Sequence, residues 1–321
     1  MLKGLEVFRF LEKDLQRLEQ YLQYFVQNTD GLLRDGLSNT LLAGGKRIRP
    51  GLFLISAKNK DYDVQYLLPA AASIEIIHTA SLIHDDIIDR SELRRGKKTI
   101  HTVYDNDTAK YIGNYLFTHT FYLLNLYNRP MILKEMSRAV EYLVKGEFDQ
   151  LKKHKKINQS EKAYFNMINE KTSSLFKVSC VLGGMLSGSS EADIANLREF
   201  GQLLGTAFQI NDDLLDIGVN RKKDIGKPIG NDIKQGNITL PVIYALKDPG
   251  FRKASKGILG KKYISEDEIE WILDMVRTTG AVKTAQEKFD LYLSRAGAVI
   301  ADISGEKRRE ALYKIMDYFR S

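Results

Sequence analysis

Ile74-Glu75-Ile76-Ile77-His78-Thr79-Ala80-Ser81-Leu82-Ile83-His84-Asp85-Asp86-Ile87-Ile88-Asp89 combines helical spacing with a triad of carboxylates. His78, Ser81, Asp85 and Asp89 step by three, four and four residues, so on a helix they line one stripe. A stripe of His, Ser and Asp is costly in an apolar core, and it fits the wall of a cavity. Asp85 and Asp89 stack as like charges, which destabilises a helix unless a cation sits between them. The same design recurs at Asp212-Asp213-Leu214-Leu215-Asp216. A single such cluster is more often the solvated face of a surface helix. Two copies, each near arginines, lysines and glycines, favour a cage for hard divalent cations. Mg2+ takes a few carboxylates, several waters and substrate phosphates. A calcium loop is excluded, because the glycine and the terminal glutamate of that motif are missing.

Cations flank both clusters. Leu93-Arg94-Arg95-Gly96 follows the first, and Gly44-Gly45-Lys46-Arg47-Ile48-Arg49-Pro50 lies upstream. Phe208-Gln209 precedes the second, and Asp224-Ile225-Gly226-Lys227-Pro228 follows it. Glycines let the backbone approach an anion, and Lys46 with Arg49 can hold phosphate. Each segment has an ordinary reading on its own: a basic turn, a solvated helix end, or a lysine in solvent at Glu170-Lys171-Thr172. Gly146-Glu147-Phe148-Asp149-Gln150 is equally open.

The chain has 321 residues, 43% hydrophobic, with a net charge of +7. That length allows one large core or two smaller ones. The excess of base suits anionic small substrates or a membrane surface. It is spread too evenly for nucleic acid, and no nucleic-acid motif is present. Its densest run, Lys152-Lys153-His154-Lys155-Lys156, reads as a solvated loop. The single cysteine, Cys180, rules out an internal disulfide, suits a reducing cytosol and reads as an inert core residue. A cytoplasmic location is expected, since no signal peptide or membrane span is read. His101, His119 and His154 lack the spacing of metal ligands and read as structural. Walker loops, dinucleotide fingerprints and nucleophile elbows are absent.

Helical periodicity dominates. Leu5, Phe8, Leu11, Leu15, Leu18, Leu22 and Phe25 mark one face of a first helix. Further helices are predicted over 33–43, 52–58, 66–90, 107–127, 130–151, 161–186, 191–217, 237–247, 266–278, 281–302 and 305–319. Ser190 and Ser265 read as N-caps. The six prolines are expected mostly near element ends. The predicted architecture is all-α: one domain spanning 1–321, a bundle of ten or more helices around a central active-site cavity.

These motifs resemble the trans-polyprenyl diphosphate synthases, from Gly44 to about Pro241. The wording of Ile74–Ile100 and of Gln235–Pro241 is most similar to component II of heptaprenyl diphosphate synthases. The resemblance implies that Asp85, Asp89 and Asp212 bind Mg2+, three ions in all, with Asp86, Asp213 and Asp216 in support. Arg94, Lys171 and Lys227 would contact an allylic diphosphate, farnesyl or geranylgeranyl. Lys46, Arg49, His78 and Arg95 would hold isopentenyl diphosphate. Thr172 and Gln209 would stabilise the allylic cation. Many members carry lysine where this chain has Asn237, so altered affinity is expected. Small residues at Ala80 and Ser81, with Ile77 and Ile74 deeper, imply an open tunnel and a product of about C30–C40 for a quinone side chain. A homodimer, or a heterodimer with a small regulatory subunit, is implied, with peripheral membrane contact for product release. A shorter geranylgeranyl or farnesyl product is the alternative. A non-catalytic partner subunit would not need both acid clusters. A terpene cyclase would not need Lys46, Arg49 and Arg95.

Overall fold

A computed structural model describes residues 10–59, 61–219, 229–261 and 263–320. Lys227 and its neighbours 220–228 lie outside the described residues, as do Leu5 and Phe8. Among the described residues are sixteen α-helices and one two-stranded hairpin, so the all-α expectation holds. In order they are α1 (Glu12–Gln27), α2 (Gly31–Thr40), α3 (Ile48–Ser56), α4 (Val64–Ile88), β1 (Leu93–Arg94), β2 (Lys97–Lys98), α5 (Ile100–Val103), α6 (Asn106–Asn125) and α7 (Pro130–Lys153). Then follow α8 (Glu161–Lys171), α9 (Ser173–Leu186), α10 (Glu191–Asp216), α11 (Asn231–Lys234), α12 (Leu240–Ala245), α13 (Pro249–Leu259), α14 (Glu266–Thr278), α15 (Ala281–Ala301) and α16 (Glu306–Arg320). They form two compact units: the described residues of Met1–Arg138, Leu175–Arg198 and Ile300–Ser321, and those of Ala139–Ser174 and Glu199–Val299.

In the first unit α4 is the core helix. It packs on α6, α3 and α1, and α16 packs on α3. Ala70, Ala71, Ile74, Ile76, Ile77, Ala80 and Ile83 are all buried, so the helix is covered along most of its length. Each buried isoleucine contributes roughly 1.5–3 kcal/mol. By length and composition α4 could cross a membrane, contrary to expectation, but 78% of its apolar window is buried within the fold. It therefore behaves as the core helix it is packed to be. Pro69 lies inside α4 rather than at its end. A mid-helix proline breaks the backbone ladder, and here a side chain mends it. The Tyr127 hydroxyl accepts from the Ala70 N–H at 3.2 Å and donates to the Tyr66 carbonyl at 2.6 Å. Along α1, Leu15, Leu18, Leu22 and Phe25 are buried as their spacing predicts.

In the second unit α12 packs on α8 and α14, and α13 packs on α14. Glu161, at the start of α8, accepts from Tyr244 at 2.9 Å and pairs with Lys247 at 3.3 Å and Lys288 at 3.2 Å. Ser265 forms a complete capping box with Glu268, and Ser190 accepts from the Asp193 N–H at 3.1 Å. One long helix is expected over 161–186, but the chain breaks at Thr172 between α8 and α9. Thr172 gives its hydroxyl to another helix, and two serines follow, which are poor helix formers. The basic run at the end of α7 is largely exposed, as expected, with two ties to the 235–236 turn. His154 hydrogen-bonds the Gln235 carbonyl at 2.5 Å, and the Lys155 N–H donates to the Gly236 carbonyl at 2.9 Å.

Candidate active site

Both acid clusters stand at the C-terminal ends of long helices. Asp85 and Asp86 occupy the last turn of α4, and Asp89 caps it, its N–H donating to the Asp85 carbonyl at 2.8 Å. Asp212, Asp213 and Asp216 end α10. Neither helix has a basic residue in its last turn. A helix C-terminus carries partial negative charge and favours cations. Carboxylates stacked there are opposed by the dipole and by one another. A bound divalent cation reverses both effects, and an all-oxygen donor set suits a hard ion such as Mg2+. Among the described residues no three His, Cys, Asp or Glu side chains converge as a ready-made cage.

In the first unit, the middle aspartate is spoken for. Asp86 is buried, and its Oδ1 accepts from Arg94 Nε at 2.8 Å and Nη2 at 2.5 Å. Burial pushes its pKa up, against the pull of Arg94. Burial tends to lower the Arg94 pKa, but Asp86, then Asp85 and Asp89, hold it above its usual value. Arg94 sits on β1, and the hairpin turn places both Arg95 (φ 54°) and Gly96 (φ 77°) in the left-handed region. Two-residue hairpin turns require this. His84 stacks on Phe117, with ring centroids 5.4 Å apart. A Cβ at Gly113 would overlap the His84 ring, so the bare backbone of α6 makes room for it.

The cations expected for a second diphosphate gather in the same unit. Arg49 Nη1 lies 3.2 Å from His78 Nε2, and its guanidinium lies 4.9 Å from the Phe176 ring centroid. Since a guanidinium can only donate, His78 Nε2 is the acceptor. Burial first, then the charges of Arg49, Arg95, Arg94 and Arg47, push the His78 pKa well down, so it is neutral. Arg49 is pushed down to about 10 by burial, which the Glu75 charge opposes and Arg95 reinforces. Arg95 rests on Gly45: a Cβ there would fall 2.9 Å from Arg95 Nη1. Lys46 is exposed, with Nζ 5.5 Å from the Tyr318 ring centroid. Ile74, Ile77, Ala80 and Ser81 are buried in α4, and the Ser81 hydroxyl donates to the His78 carbonyl at 2.8 Å.

In the second unit a continuous polar chain supports α10. Thr172 Oγ1 donates to Gln209 Oε1 at 2.7 Å, and Gln209 Nε2 donates to Asp213 Oδ1 at 3.0 Å. Asp213 Oδ2 accepts from the Tyr164 hydroxyl at 2.7 Å and the Leu240 N–H at 3.0 Å. Burial, then the charge of Asp232, pushes the Asp213 pKa up to about 7. Asp216 Oδ2 accepts from the Asp232 N–H at 3.1 Å. Lys171 pairs with Glu147. A Cβ at Gly146 would fall 2.5 Å from the Lys171 backbone nitrogen, so that glycine permits the approach. Gln150 Nε2 donates to Asn237 Oδ1 at 3.3 Å.

Sequence reasoning gave no role to Arg47, Glu75, Tyr164 or Glu147. The signal for Glu75 was present, since a charged residue inside an apolar helical run demands a partner. Tyr164 carried no comparable signal.

A family model described as polyprenyl synthetase matches residues 30–276. Heptaprenyl diphosphate synthase component 2 of Bacillus subtilis (strain 168) is 35% identical over 311 residues, 97% of this chain and 88% of that protein. The protein of the same name from Geobacillus stearothermophilus is 34% identical over 312 residues, 96% of this chain and 97% of the relative. The crystal structure of heptaprenyl diphosphate synthase from Staphylococcus aureus superposes with a TM-score of 0.88 at 29% identity, covering 96% of this chain and 97% of that one. With its predominantly helical architecture and carboxylate-ended α4 and α10, the chain has the all-α isoprenoid synthase fold and belongs to the polyprenyl synthetase family of prenyltransferases.

Proposed function

We propose that this chain is a Mg2+-dependent trans-prenyltransferase, acting as one catalytic domain. It condenses isopentenyl diphosphate with farnesyl or geranylgeranyl diphosphate and makes an all-trans polyprenyl diphosphate of about C30–C40. Heptaprenyl is the expected product, destined for a quinone side chain. The observation that carries this reading is the pair of long helices ending in carboxylates with no basic residue in the last turn.

Asp85, Asp89 and Asp212 are the proposed metal ligands, with Asp86, Asp213 and Asp216 holding the helix ends in place. A divalent cation held there would supply the positive charge that a leaving diphosphate needs. Lys171 and Arg94, with Lys227 as the family resemblance implies, would add positive charge to the allylic diphosphate. Lys46, Arg49, His78 and Arg95 hold isopentenyl diphosphate so that its alkene meets the allylic carbon. Arg49 and Arg95 remain charged there, while neutral His78 accepts from Arg49 and orients it. Gln209, fixed by Thr172 and Asp213, presents a side-chain amide dipole toward the developing cation. Proton loss falls to the released diphosphate.

A second component is part of the proposal. The relatives named component 2 carry that implication in their name. An aromatic face in the first unit supports it: His119 stacks on Phe25 with centroids 4.2 Å apart, while Tyr24, Tyr111 and Tyr122 are exposed. The assembly is a heterodimer or a homodimer working in the cytosol, with peripheral membrane contact for release of its greasy product.

The test incubates the purified chain with Mg2+, farnesyl diphosphate and labelled isopentenyl diphosphate, then sizes the products. A ladder ending at about C30–C40, abolished by a chelator, supports the proposal. Products stopping at farnesyl or geranylgeranyl length overturn the assigned chain length. Absence of elongation, both alone and with a partner subunit, overturns the activity.

A further inference from the structure

The Gly44–Pro50 loop carries three cations with different fates. Every nitrogen of the Arg47 guanidinium donates to a protein oxygen. Nε and Nη2 reach Glu19 at 2.5 and 3.1 Å, Nη1 reaches Glu75 at 2.5 Å, and Nη2 also reaches the Leu41 carbonyl at 2.9 Å. Arg47 and Glu75 are both buried. Burial works against the Arg47 charge, and the two glutamates more than restore it. Four of the five guanidinium N–H donors are thus engaged and the residue is buried, so Arg47 is sealed inside the protein, away from any ligand.

Its neighbours contrast with it. Among the described residues no hydrogen bond or ion pair engages the Arg95 guanidinium, which lies against the bare backbone of Gly45. Lys46 is exposed beside Tyr318. The Glu75 charge acts on Arg47, Arg49 and Arg95 alike. Glu75 also sits one turn before His78 on α4, on the side facing these arginines. Arg47 adopts a left-handed backbone (φ 47°) where it caps α3. That conformation costs a non-glycine residue about 1 kcal/mol or more. The Glu19 and Glu75 bonds hold it there.

We propose that the Glu19–Arg47–Glu75 triad is a positioning element. It fixes the 44–49 loop between α1 and α4 so that Lys46, Arg49 and Arg95 converge on the diphosphate of isopentenyl diphosphate, while Arg47 touches no substrate. This deepens the proposed function and rests on its two-diphosphate reading. A carboxylate among guanidiniums looks adverse to anion binding. Here it keeps them close and charged, which no shape-matched neutral side chain does.

The test uses the full chain with two variants, Glu75→Gln and Arg47→Lys. Affinity for isopentenyl diphosphate is measured by calorimetry, affinity for farnesyl diphosphate with Mg2+ likewise, and folding by thermal melts. The expected result is a loss of at least tenfold in isopentenyl diphosphate affinity in both variants, with farnesyl diphosphate affinity held within twofold. Arg47→Lys keeps the charge but not the bidentate fork, so its loss shows that geometry matters. Unchanged affinity in both variants, or equal weakening of both ligands together with a lowered melting temperature, overturns the positioning role. If Glu75→Gln does not fold, Arg47→Lys and Glu19→Gln decide by the same criteria. If the wild type elongates and the variants lose neither ligand, only this inference fails. If the wild type binds neither diphosphate, the proposed function falls as well.

Discussion

The ends of α4 and α10 carry the same three aspartates in the same spacing but secure them by opposite means. At α4 the middle aspartate, Asp86, is held by one charged partner, Arg94, whose side chain is 38% exposed. At α10 the middle aspartate, Asp213, is held by neutral donors from three places: Tyr164, Gln209 and the Leu240 N–H. A repeated sequence motif therefore does not imply a repeated physical solution. The last aspartates differ too: Asp89 is exposed where it caps α4, while Asp216 is buried at the end of α10 and accepts from the Asp232 N–H at 3.1 Å.

The strongest way to break this comparison is to neutralise the flanking acids. Asp85→Asn and Asp212→Asn are expected to lower kcat/KM by roughly 10²–10³ with little change in melting temperature. Steady-state assays paired with thermal melts check this, and a stability loss matching the activity loss would count against a metal role. The middle acids come next, and here the two ends should differ. Asp213→Ala strands the buried Tyr164 hydroxyl and Leu240 N–H, and should cost about 3 kcal/mol of stability. Asp86→Ala frees a partly solvated arginine and should cost about 1 kcal/mol. Denaturant titration resolves the difference, and equal losses would erase the distinction.

Ala80→Phe probes α4 from inside. If Ala80 lines a tunnel, the product shortens and the protein stays folded. If it is ordinary packing, overfilling costs about 1–3 kcal/mol and product length is unchanged. Product chromatography with a melt separates the two. The first unit also predicts a pH effect. Burial and the surrounding arginines hold the His78 pKa well below the ordinary value of 6.5 for a histidine in the folded state. The folded chain thus binds fewer protons than the unfolded chain below pH 6.5, and stability is lost as pH falls from there. His78→Gln should flatten that acid slope in denaturant titrations across pH. The smallest effect concerns Cys180, which is buried with its pKa pushed up to about 12. A thiol reagent at neutral pH should leave the folded chain unmodified, as mass spectrometry would show.

Much of this was legible in the residues. The α1 stripe, the capping box at Ser265 and the acid spacing are all local patterns, and local patterns read directly as helix and helix end. What escaped reading depends on partners far along the chain. Pro69 argues for a helix break, yet Tyr127 supplies the missing ladder contacts across 57 positions. The 93–98 hairpin turns on Arg-Gly rather than Asn-Gly or Asp-Gly, so its signal is weak. Helix α13 has only Phe251 and Leu259 as large buried anchors, too few for periodicity to show. Arg47 and Arg49 are equivalent on paper. Only the fold reveals that one turns inward to glutamates and the other toward His78.

The left-handed arginines have a practical consequence for anyone engineering this chain. Arg47 and Arg95 hold backbone conformations that glycine adopts without cost. A search for thermostable variants guided by backbone geometry alone would nominate both positions for glycine. At Arg95 such a change should yield a tougher protein that handles its substrate worse. Natural selection acting on turnover would retain the guanidinium and tolerate the softer loop. Those two residues are where durability and chemistry pull in opposite directions.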